Sequence, residues 1–577
     1  MAITEFDSVF NHIGGFGRYQ MGLFVVNCIM NVFLAFIYFG QMFMTLTPPH
    51  WCRPPPGLQE LNLTQEELMH LTIPKDNTSE KFLQCRRYDV DFVEVRNNNH
   101  SWPNTSWPTV KCTHGWNYDY SFYYPTITSQ LDWVCDDDWL PTLSQSLFFV
   151  GSLVASPLLG WASDKWGRLP IIVSTNMLGG VAGIISAFCS SFVSFTIFRF
   201  IVGMTYDTHF MVTYILLLEY VSSEYRTVMA NVPIMFFLTA AMCSMPWIAL
   251  GVANWSTFAI IIHAPQLISL FFIWLVPESA RWLISKGRTD DTVKILKKAA
   301  SVNGKTLTPD FLEEFREYGS KQAKNDESTA TVMDLLNTPV LRRRFLVLCI
   351  MWMVIITAYD AHMRNTKNIG GNVFVTFTIA GFVELPADFL TMVFVEKLGR
   401  RHTTVFTLIF GGLACFIIAG IPEVQKISLM YNFNQDKMYQ LWFVRSGQQY
   451  PVEVLPTVAR GSGSMAIHTV GYLAAFTSPY IVYLSKFGYY LPYLVIGMIT
   501  VAGGLCCIGL PETLNQILPD SLQDGETYFC DQSFFYNPCY RKNEDVQEDV
   551  ITMAGMKEGV DNASCLENVD KGTNKEI

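Results

Sequence analysis

The chain has 577 residues, half of them apolar and only 16% charged, and its mean hydropathy is positive. A soluble chain of this length usually carries about a quarter charged residues, so the composition excludes an ordinary soluble globular protein. The net charge of −10, with no basic stripe among interleaved aromatic residues, argues against a nucleic-acid partner. The charges are concentrated between long apolar runs, which predicts an all-α polytopic membrane protein surrounded by lipid.

The first apolar run, Met21–Leu46, is predicted to be a retained membrane helix. The preceding residues contain Glu5, Asp7 and Arg18, and they lack the positive start and apolar core of a signal peptide. We therefore expect this run to form helix one of the mature protein.

A polar segment at 47–140 follows helix one and is predicted to be an extracellular loop. It contains four Asn-x-Ser/Thr acceptor sites, at Asn62, Asn77, Asn99 and Asn104. It also contains an even number of cysteines, namely Cys52, Cys85, Cys112 and Cys135. These features indicate a glycosylated, disulfide-bonded ectodomain, and the alternative is a disordered loop with unused acceptor sites. The sequence does not separate the three possible cysteine pairings.

Later apolar runs predict the other membrane helices. Helices two to six are expected at Leu143–Leu159, Leu169–Phe188, Phe192–Leu218, Val228–Gly251 and Phe258–Val276. Helices seven, eight, nine, eleven and twelve are expected at Phe345–Ala361, Val373–Val395, Thr403–Ile421, Met465–Leu484 and Tyr490–Leu510. The basic segment 277–344 lacks an acceptor site and is predicted to be a cytoplasmic loop, and 511–577 a cytoplasmic tail.

The distribution of basic residues predicts the orientation. If the N-terminus is inside, the basic residues of the short loops lie on the cytoplasmic side: Lys165, Arg168, Arg226, Lys397, Arg400, Arg401 and Arg460. The loops after helices three and five, on the other side, contain no Lys or Arg. Charge and acceptor sites thus both predict cytoplasmic N- and C-termini.

The chain contains an internal duplication. A charged turn at Gly160–Arg168 has a near copy at Glu396–Arg401, and Asp164 and Glu396 are 232 residues apart. Further pairs recur at 234 residues: Glu219 with Glu453, Arg226 with Arg460, and Pro277-Glu278-Ser279 with Pro511-Glu512-Thr513. The shared offset predicts two parallel six-helix bundles, at 1–276 and 345–510, twelve helices in all.

These motifs resemble a known family. The Gly-x-x-x-Asp-Lys-x-Gly-Arg turn, present in two copies, resembles the signature of the major facilitator superfamily. The large first loop, the string from Pro277 to Leu283 and the string from Glu453 to Arg460 resemble the organic cation, anion and carnitine transporters, especially the insect-type organic cation, carcinine and β-alanine members. The family usually has Pro where this chain has Ala280. The resemblance implies the major facilitator fold and a plasma-membrane transporter.

The paired charged turns are candidates for gating. Asp164, Lys165 and Arg168 can pair with charges at facing helix ends, and we expect them to hold the cytoplasmic side shut when the cavity opens outward. The other candidates are Glu219, Arg226, Glu396, Arg400, Glu453 and Arg460. The alternative is that these residues only anchor the topology.

Ionisable residues at membrane depth are costly, so each predicts a binding site by default. Asp207 lies mid-way along helix four, Asp360 near the outer end of helix seven, and Glu384 and Asp388 one turn apart on helix eight around Pro386. Two carboxylates at this spacing repel unless one is protonated or a cation lies between them. The aromatic residues Trp352 and Tyr359 could add cation–π attraction to a bound ammonium group. The alternative is a structural role for these acids, with Asp360 in the headgroup zone near Arg364 and Lys367.

Position 472 bears on the substrate. The cation branch of the resembled family tends to carry an acid on helix eleven and the anion and carnitine branches an arginine, whereas this chain has Tyr472 there. The acids elsewhere favour amines or zwitterions over anions. His209 and His468 read as packing residues, and the sequence predicts no metal site, cofactor or catalytic constellation.

The expected tenth helix is atypical. The segment 424–450 has the right length but includes Asp436, Lys437 and Arg445, each of which would cost about 2.5–3.5 kcal/mol at a helix centre. The segment has three possible explanations. It is an artefact of a shifted reading frame or a misplaced exon edge, or it is a genuine polar segment that lines the cavity. The third possibility is that the protein has lost its transport function.

The sequence therefore predicts a transporter of small organic cations or zwitterions, such as carnitine, β-alanine or carcinine, working by alternating access. The alternatives are a non-transporting surface sensor or adhesion protein, an inactive paralogue and an organic anion transporter. The oligomeric state and the coupling ion are not predicted.

Overall fold

The computed structural model describes residues 6, 9–55, 58, 64–75, 82–90, 92, 106–322, 331–368, 371–421, 447, 450–514, 519 and 521–527. Within these residues the protein is mainly helical, and nine helices are long and apolar enough to cross a membrane. The four predicted glycosylation sites, Asn62, Asn77, Asn99 and Asn104, lie outside the described residues. So does the segment 424–450 expected to form helix ten, except for Gly447 and Tyr450.

The first half contains six membrane helices close to the predicted bounds. Helices one to four span Arg18–Met44, Leu140–Trp166, Arg168–Ser186 and Phe192–Leu218. Helix five runs through Ser223–Val232, a π-helical stretch at Pro233–Leu238 and Thr239–Val252. Helix six runs through Trp255–His263, a 3-10 stretch at Ala264–Phe271 and Phe272–Leu275. Each irregular stretch has a proline at its start, where the missing N–H removes a bond of the α-helical ladder.

The second half repeats this arrangement. Helices seven and nine span Pro339–Asn365 and Arg400–Gly420, and helix twelve spans Leu491–Cys507. Helix eight is divided into Val373–Phe382 and Glu384–Leu398, and Pro386, which lacks the N–H that would bond to the carbonyl of Phe382, lies just after the division. Helix eleven is divided into Arg460–Ala475 and Ser478–Tyr483, just before Pro479. Short 3-10 turns lie at Thr366–Asn368, Thr457–Ala459 and Leu484–Lys486.

The segment predicted as a cytoplasmic loop is mostly helical. It contains helices at Ala280–Ser285, Thr289–Val302, Pro309–Gln322 and Val332–Asn337, and further short helices lie at Val9–Ile13 and Leu522–Thr527. Asn303 joins this helical segment to the start of helix one, because its side chain donates to Ile13 O (2.8 Å) and accepts from Tyr19 N (2.9 Å).

The ectodomain contains two small antiparallel sheets. Strand His50–Cys52 pairs with Trp116–Tyr118, and Arg86–Tyr88 pairs with Thr109–Lys111. Short helices lie at Gln65–Thr72, Ile127–Gln130 and Cys135–Asp137. Of the three possible cysteine pairings, the fold selects Cys52–Cys112 and Cys85–Cys135, with Cα–Cα distances of 5.1 and 5.6 Å. The predicted disulfide-bonded domain is therefore present.

The two halves pack tightly on the side that faces the ectodomain. The Phe43 ring of helix one lies 6.1 Å from the Phe374 ring and 5.1 Å from the Phe377 ring of helix eight. Aromatic pairs at these separations are favourable beyond the apolar area they bury. These contacts join the two halves on the side of the ectodomain.

Candidate functional site

A cavity lies between the two halves. Its volume is about 930 Å³, including the space at its mouth. It is lined by helices one, two, four and five of the first half and by helices seven and eleven of the second. Of the predicted binding residues, Asp207, Trp352, Tyr359 and Tyr472 line this cavity. Sequence reasoning missed other aromatic residues in the lining, among them Tyr38, Phe39, Phe149, Tyr206 and Phe210.

Asp207 supplies a buried carboxylate to the cavity wall. The side chain of this residue of helix four is 5% exposed. Its Oδ2 accepts a hydrogen bond from Ser156 Oγ of helix two (3.0 Å), and its Oδ1 accepts one from the Tyr472 hydroxyl of helix eleven. The second bond joins the two halves across 265 positions of sequence. Asp207 and Tyr472, predicted separately, are therefore in direct contact.

Aromatic rings surround this carboxylate. The Tyr206 ring lies 5.2 Å from the Tyr38 ring and 6.5 Å from the Tyr472 ring. On the opposite wall, the buried Trp352 ring lies 4.6 Å from the His468 ring. Ring faces of this kind attract cations, and a desolvated contact contributes about 2 kcal/mol. A carboxylate within such rings can hold a small ammonium ion.

The predicted carboxylate pair on helix eight lies behind the cavity wall. Glu384 is 3% exposed and accepts a hydrogen bond from the Tyr359 hydroxyl (3.2 Å). Neither Glu384 nor Asp388 is among the residues that line the cavity. Glu384 therefore reaches the cavity through Tyr359, which does line it.

Asp360 forms a buried ion pair with another residue of the protein. Its carboxylate is fully buried and pairs with Arg364 Nε at 2.7 and 2.9 Å, and it also accepts from Ser478 Oγ. The Arg364 guanidinium lies 5.4 Å from the centre of the Tyr38 ring and 5.5 Å from that of Phe149. Asp360 thus has its own cation and lies outside the cavity lining.

The first charged turn is shorter than the sequence suggests. Residues Gly160 to Trp166 belong to helix two, and the chain reverses at Gly167 alone, with φ +105°. The carboxylate of Glu278 accepts from Arg168 N (2.9 Å) and Leu169 N, so it caps helix three. A Cβ at position 167 would collide with this carboxylate. Glycine is therefore needed at position 167 for its positive φ and because a side chain there would displace the Glu278 carboxylate.

The second turn has the same construction. The chain reverses at Gly399, with φ +89°, and Glu512 accepts from Arg400 N (2.8 Å) and Arg401 N (3.0 Å). A Cβ at position 399 would lie 2.5 Å from a carboxylate oxygen of Glu512. The sequence matched Glu278 with Glu512 as landmarks but assigned them no role, although the shared offset was the signal that could have found it.

The predicted gating residues lie around these caps. Asp164 pairs with Arg168 (3.3 Å) within the first half, and Arg400 pairs with Glu453 (3.0 Å) within the second. Glu219 accepts from Ser279 Oγ, and Glu453 from the equivalent Thr513 Oγ1 (2.5 Å). Of the remaining candidates, Lys165 lies over the Trp161 ring, Arg460 donates to Leu455 O, Glu396 is exposed and Arg226 is half-buried. Each of these contacts joins elements of one half.

A charged contact between the halves lies at their other end and was not expected. Asp138, just before helix two, accepts from the Tyr483 hydroxyl (2.6 Å) and pairs with Lys486 Nζ (2.5 Å), both near the end of helix eleven. We call these three residues the outer clasp. Nothing in the sequence links position 138 with positions 483 and 486.

Known proteins resemble this chain over nearly its whole length. A model of the sugar (and other) transporter family matches residues 98–520. An organic cation transporter protein of Drosophila melanogaster is 31% identical over 533 residues, which cover 91% of this chain and 95% of that protein. The Drosophila carcinine transporter is 29% identical and covers 91% of this chain, with 79% of its own length matched. Mouse solute carrier family 22 member 3 is 29% identical, with 91% and 96% covered.

Solved structures show the same fold. The crystal structure of a D-xylose-proton symporter superposes with a TM-score of 0.53 at 15% identity, and the match covers 87% of this chain and all of that chain. An inward-open structure of the xylose transporter XylE from E. coli gives a TM-score of 0.52 at 16% identity, with 85% and 97% covered. At these identities the likeness concerns the fold alone.

Proposed function

The chain belongs to the sugar (and other) transporter family of the major facilitator superfamily, and we propose that it moves small organic cations or zwitterions across the plasma membrane by alternating access. Membership makes it a multi-pass membrane protein with a major facilitator fold, and its relatives include organic cation transporters. A small organic solute is therefore its expected partner.

The buried Asp207 carboxylate is the observation that supports a cationic substrate. It lies in a cavity between the halves, among aromatic rings, and the lining formed by the described residues contains no lysine or arginine. A positive group that binds there would lose its hydration water and gain contacts with a carboxylate and with the faces of aromatic rings. An organic anion would meet the negative charge of Asp207, and the described part of the lining offers it no basic partner, so anions are disfavoured.

The contact between Asp207 and Tyr472 supports alternating access. Asp207 belongs to the first half and Tyr472 to the second, so a cation that binds Asp207 competes for an oxygen that now accepts from the other half. Binding would thereby weaken a link between the halves. In this proposal the charged residues around the two glycine turns, including Asp164 and Arg400, stabilise the cytoplasmic side when the cavity opens outward.

The proposal also includes the arrangement of the chain. Residues 1–276 and 345–510 form the two bundles, and the ectodomain at 47–140 faces outward with sugars on its acceptor sites. The segment 277–344, both termini and the tail at 511–577 are cytoplasmic. The candidate substrates are carnitine, β-alanine and carcinine, and the last agrees with the name of one relative.

Tracer uptake tests this function. Cells expressing the full chain are offered labelled carnitine, β-alanine, carcinine, tetraethylammonium and an organic anion, and surface protein is measured by biotinylation. We expect uptake of at least one amine or zwitterion and its loss in Asp207→Asn. Asp136→Asn, which changes an aspartate that is 73% exposed in the ectodomain, is the matched control. No uptake of any tracer by protein present at the surface would favour a sensor, an adhesion protein or an inactive paralogue.

A further inference from the structure

The partners of Asp207 suggest that this carboxylate binds more than the substrate. Its two hydrogen-bond donors are the hydroxyls of Ser156 and Tyr472, and both are neutral. Among the residues that the structure describes, no lysine, arginine or histidine side chain contacts Asp207. When the cavity holds no substrate, this acid therefore has no positive partner within the described part of the chain.

Asp360 provides an internal comparison. It is equally buried and also accepts from a hydroxyl, but Arg364 pairs with it at 2.7 Å. The charge of Asp360 is thus cancelled by a neighbour on its own helix, one turn away. Asp207 accepts from two hydroxyls but, among the described residues, has no such cation.

The other groups that face Asp207 do not supply a charge. Helix two contributes Ser156, helix five contributes apolar residues, and helix three contributes none of the described cavity lining. The titratable residues of the lining are Tyr38 on helix one, Tyr206 on helix four, Tyr359 on helix seven, and His468 and Tyr472 on helix eleven. The charged pair Asp360–Arg364 cancels itself, and its guanidinium lies over the ring of Tyr38, a residue of the lining.

A buried carboxylate with neutral donors alone is costly when ionised, and the cost is removed by a proton or by a bound cation. We infer that a proton and the ammonium group of the substrate compete for Asp207, so that the protein exchanges one organic cation for one proton. This inference rests on the proposed transport function and adds its coupling ion.

The exchange balances in charge. When the ammonium group arrives, the O–H bond of the protonated Asp207 breaks, the electron pair stays on the oxygen, and the proton leaves through the cavity mouth. After the substrate dissociates on the other side of the membrane, a proton from that side binds Asp207 and the empty carrier returns. The Tyr472 hydroxyl suits both states, because it can donate to the carboxylate and accept from the protonated acid. The site carries the same net charge in both crossings, so the exchange is electroneutral.

Proteoliposomes containing the full chain test the coupling. Tetraethylammonium is the probe because its charge does not change with pH, and valinomycin with equal potassium on both sides holds the membrane potential at zero. When the vesicle interior is one pH unit more acidic than the outside, one-for-one exchange raises the internal tetraethylammonium concentration to as much as about ten times the external concentration. Collapse of the gradient by nigericin should abolish the accumulation. Uptake that equilibrates without accumulating would overturn the exchange and leave the transport function intact, whereas no uptake under any condition would overturn the transport function itself.

Two variants separate coupling from structure. Tyr472→Phe removes one donor to the carboxylate, disfavours its ionised form and should shift the uptake–pH profile to higher pH. Ser146→Ala is the matched control, because Ser146 Oγ of helix two donates to Phe476 O (3.1 Å) in helix eleven, so this bond also joins the two halves but does not involve Asp207. An unshifted profile in Tyr472→Phe, or an equal shift in the control, would contradict the assignment of the proton to Asp207.

Discussion

The glycine turn at position 399 yields a quantitative prediction. In Gly399→Ala, the new side chain must accept a backbone with φ +89° and ψ 169°, a region that only glycine enters readily. The strain costs about 1–3 kcal/mol. The added Cβ would also lie 2.5 Å from Glu512 and displace a carboxylate that accepts from Arg400 N and Arg401 N.

Loss of one such charge-assisted hydrogen bond costs about 1.5–3 kcal/mol, so together with the strain the substitution should destabilise the protein by roughly 2.5–6 kcal/mol. The matched control is Gly371→Ala, because Gly371 also has a positive φ, +75°, but no atom lies within 4 Å of the added Cβ. The control should cost only about 1–2 kcal/mol.

Thermal unfolding of the purified protein in detergent measures the difference. We expect Gly399→Ala to lower Tm at least twice as far as Gly371→Ala. In a double-mutant cycle, Gly399→Ala and Glu512→Ala should be clearly less than additive, since each removes the same cap. Equal Tm losses in the two glycine variants, with additive effects in the cycle, would refute the reasoning.

Three further predictions concern other parts of the chain. Asp164→Asn should reduce tracer uptake while surface expression stays normal. The reason is that the ion pair of Asp164 with Arg168, whose acid is 73% exposed, contributes little stability. Loss of surface expression would instead indicate that Asp164 only anchors the topology. Lys486→Ala removes the ion pair of the outer clasp, worth about 1 kcal/mol, and leaves the Tyr483–Asp138 hydrogen bond. It should raise labelling of an Ala475→Cys reporter by an externally added, impermeant thiol reagent about fivefold, and unchanged labelling would show that this ion pair does not hold the halves together. Burial lowers the pKa of His50, so the folded ectodomain binds this proton less tightly than the unfolded chain does, and its resistance to proteolysis should fall as pH drops below about 6.5. His50→Gln should flatten that dependence and the exposed His114→Gln should not.

Local sequence patterns predicted much of the architecture. Helix four begins and ends at the predicted residues, because apolar length alone decides whether a segment spans a membrane. The paired glycine turns were predicted by their common offset, and the turn residues themselves were identified. The helices within 277–344 were missed, since their high charge reads as a polar loop.

The binding site was only partly predictable. Asp207 and Tyr472 were each singled out, one as an acid at membrane depth and the other by resemblance, but not their contact. Asp360 and Arg364 are four residues apart, so their proximity was visible in the sequence, although complete burial of the pair was not.

The sequence by itself determined the membrane spans, the duplication, the oxidised ectodomain and the types of residue available to bind a cation. These features depend on composition and on contacts between residues close in the chain. Only the tertiary structure decided which cysteines pair, that Glu278 and Glu512 cap the turns, and that Asp207 meets Tyr472 across the two halves. Such partners lie 50 to 265 positions apart, and packing of the helices and strands, rather than local sequence preference, brings them within bonding distance.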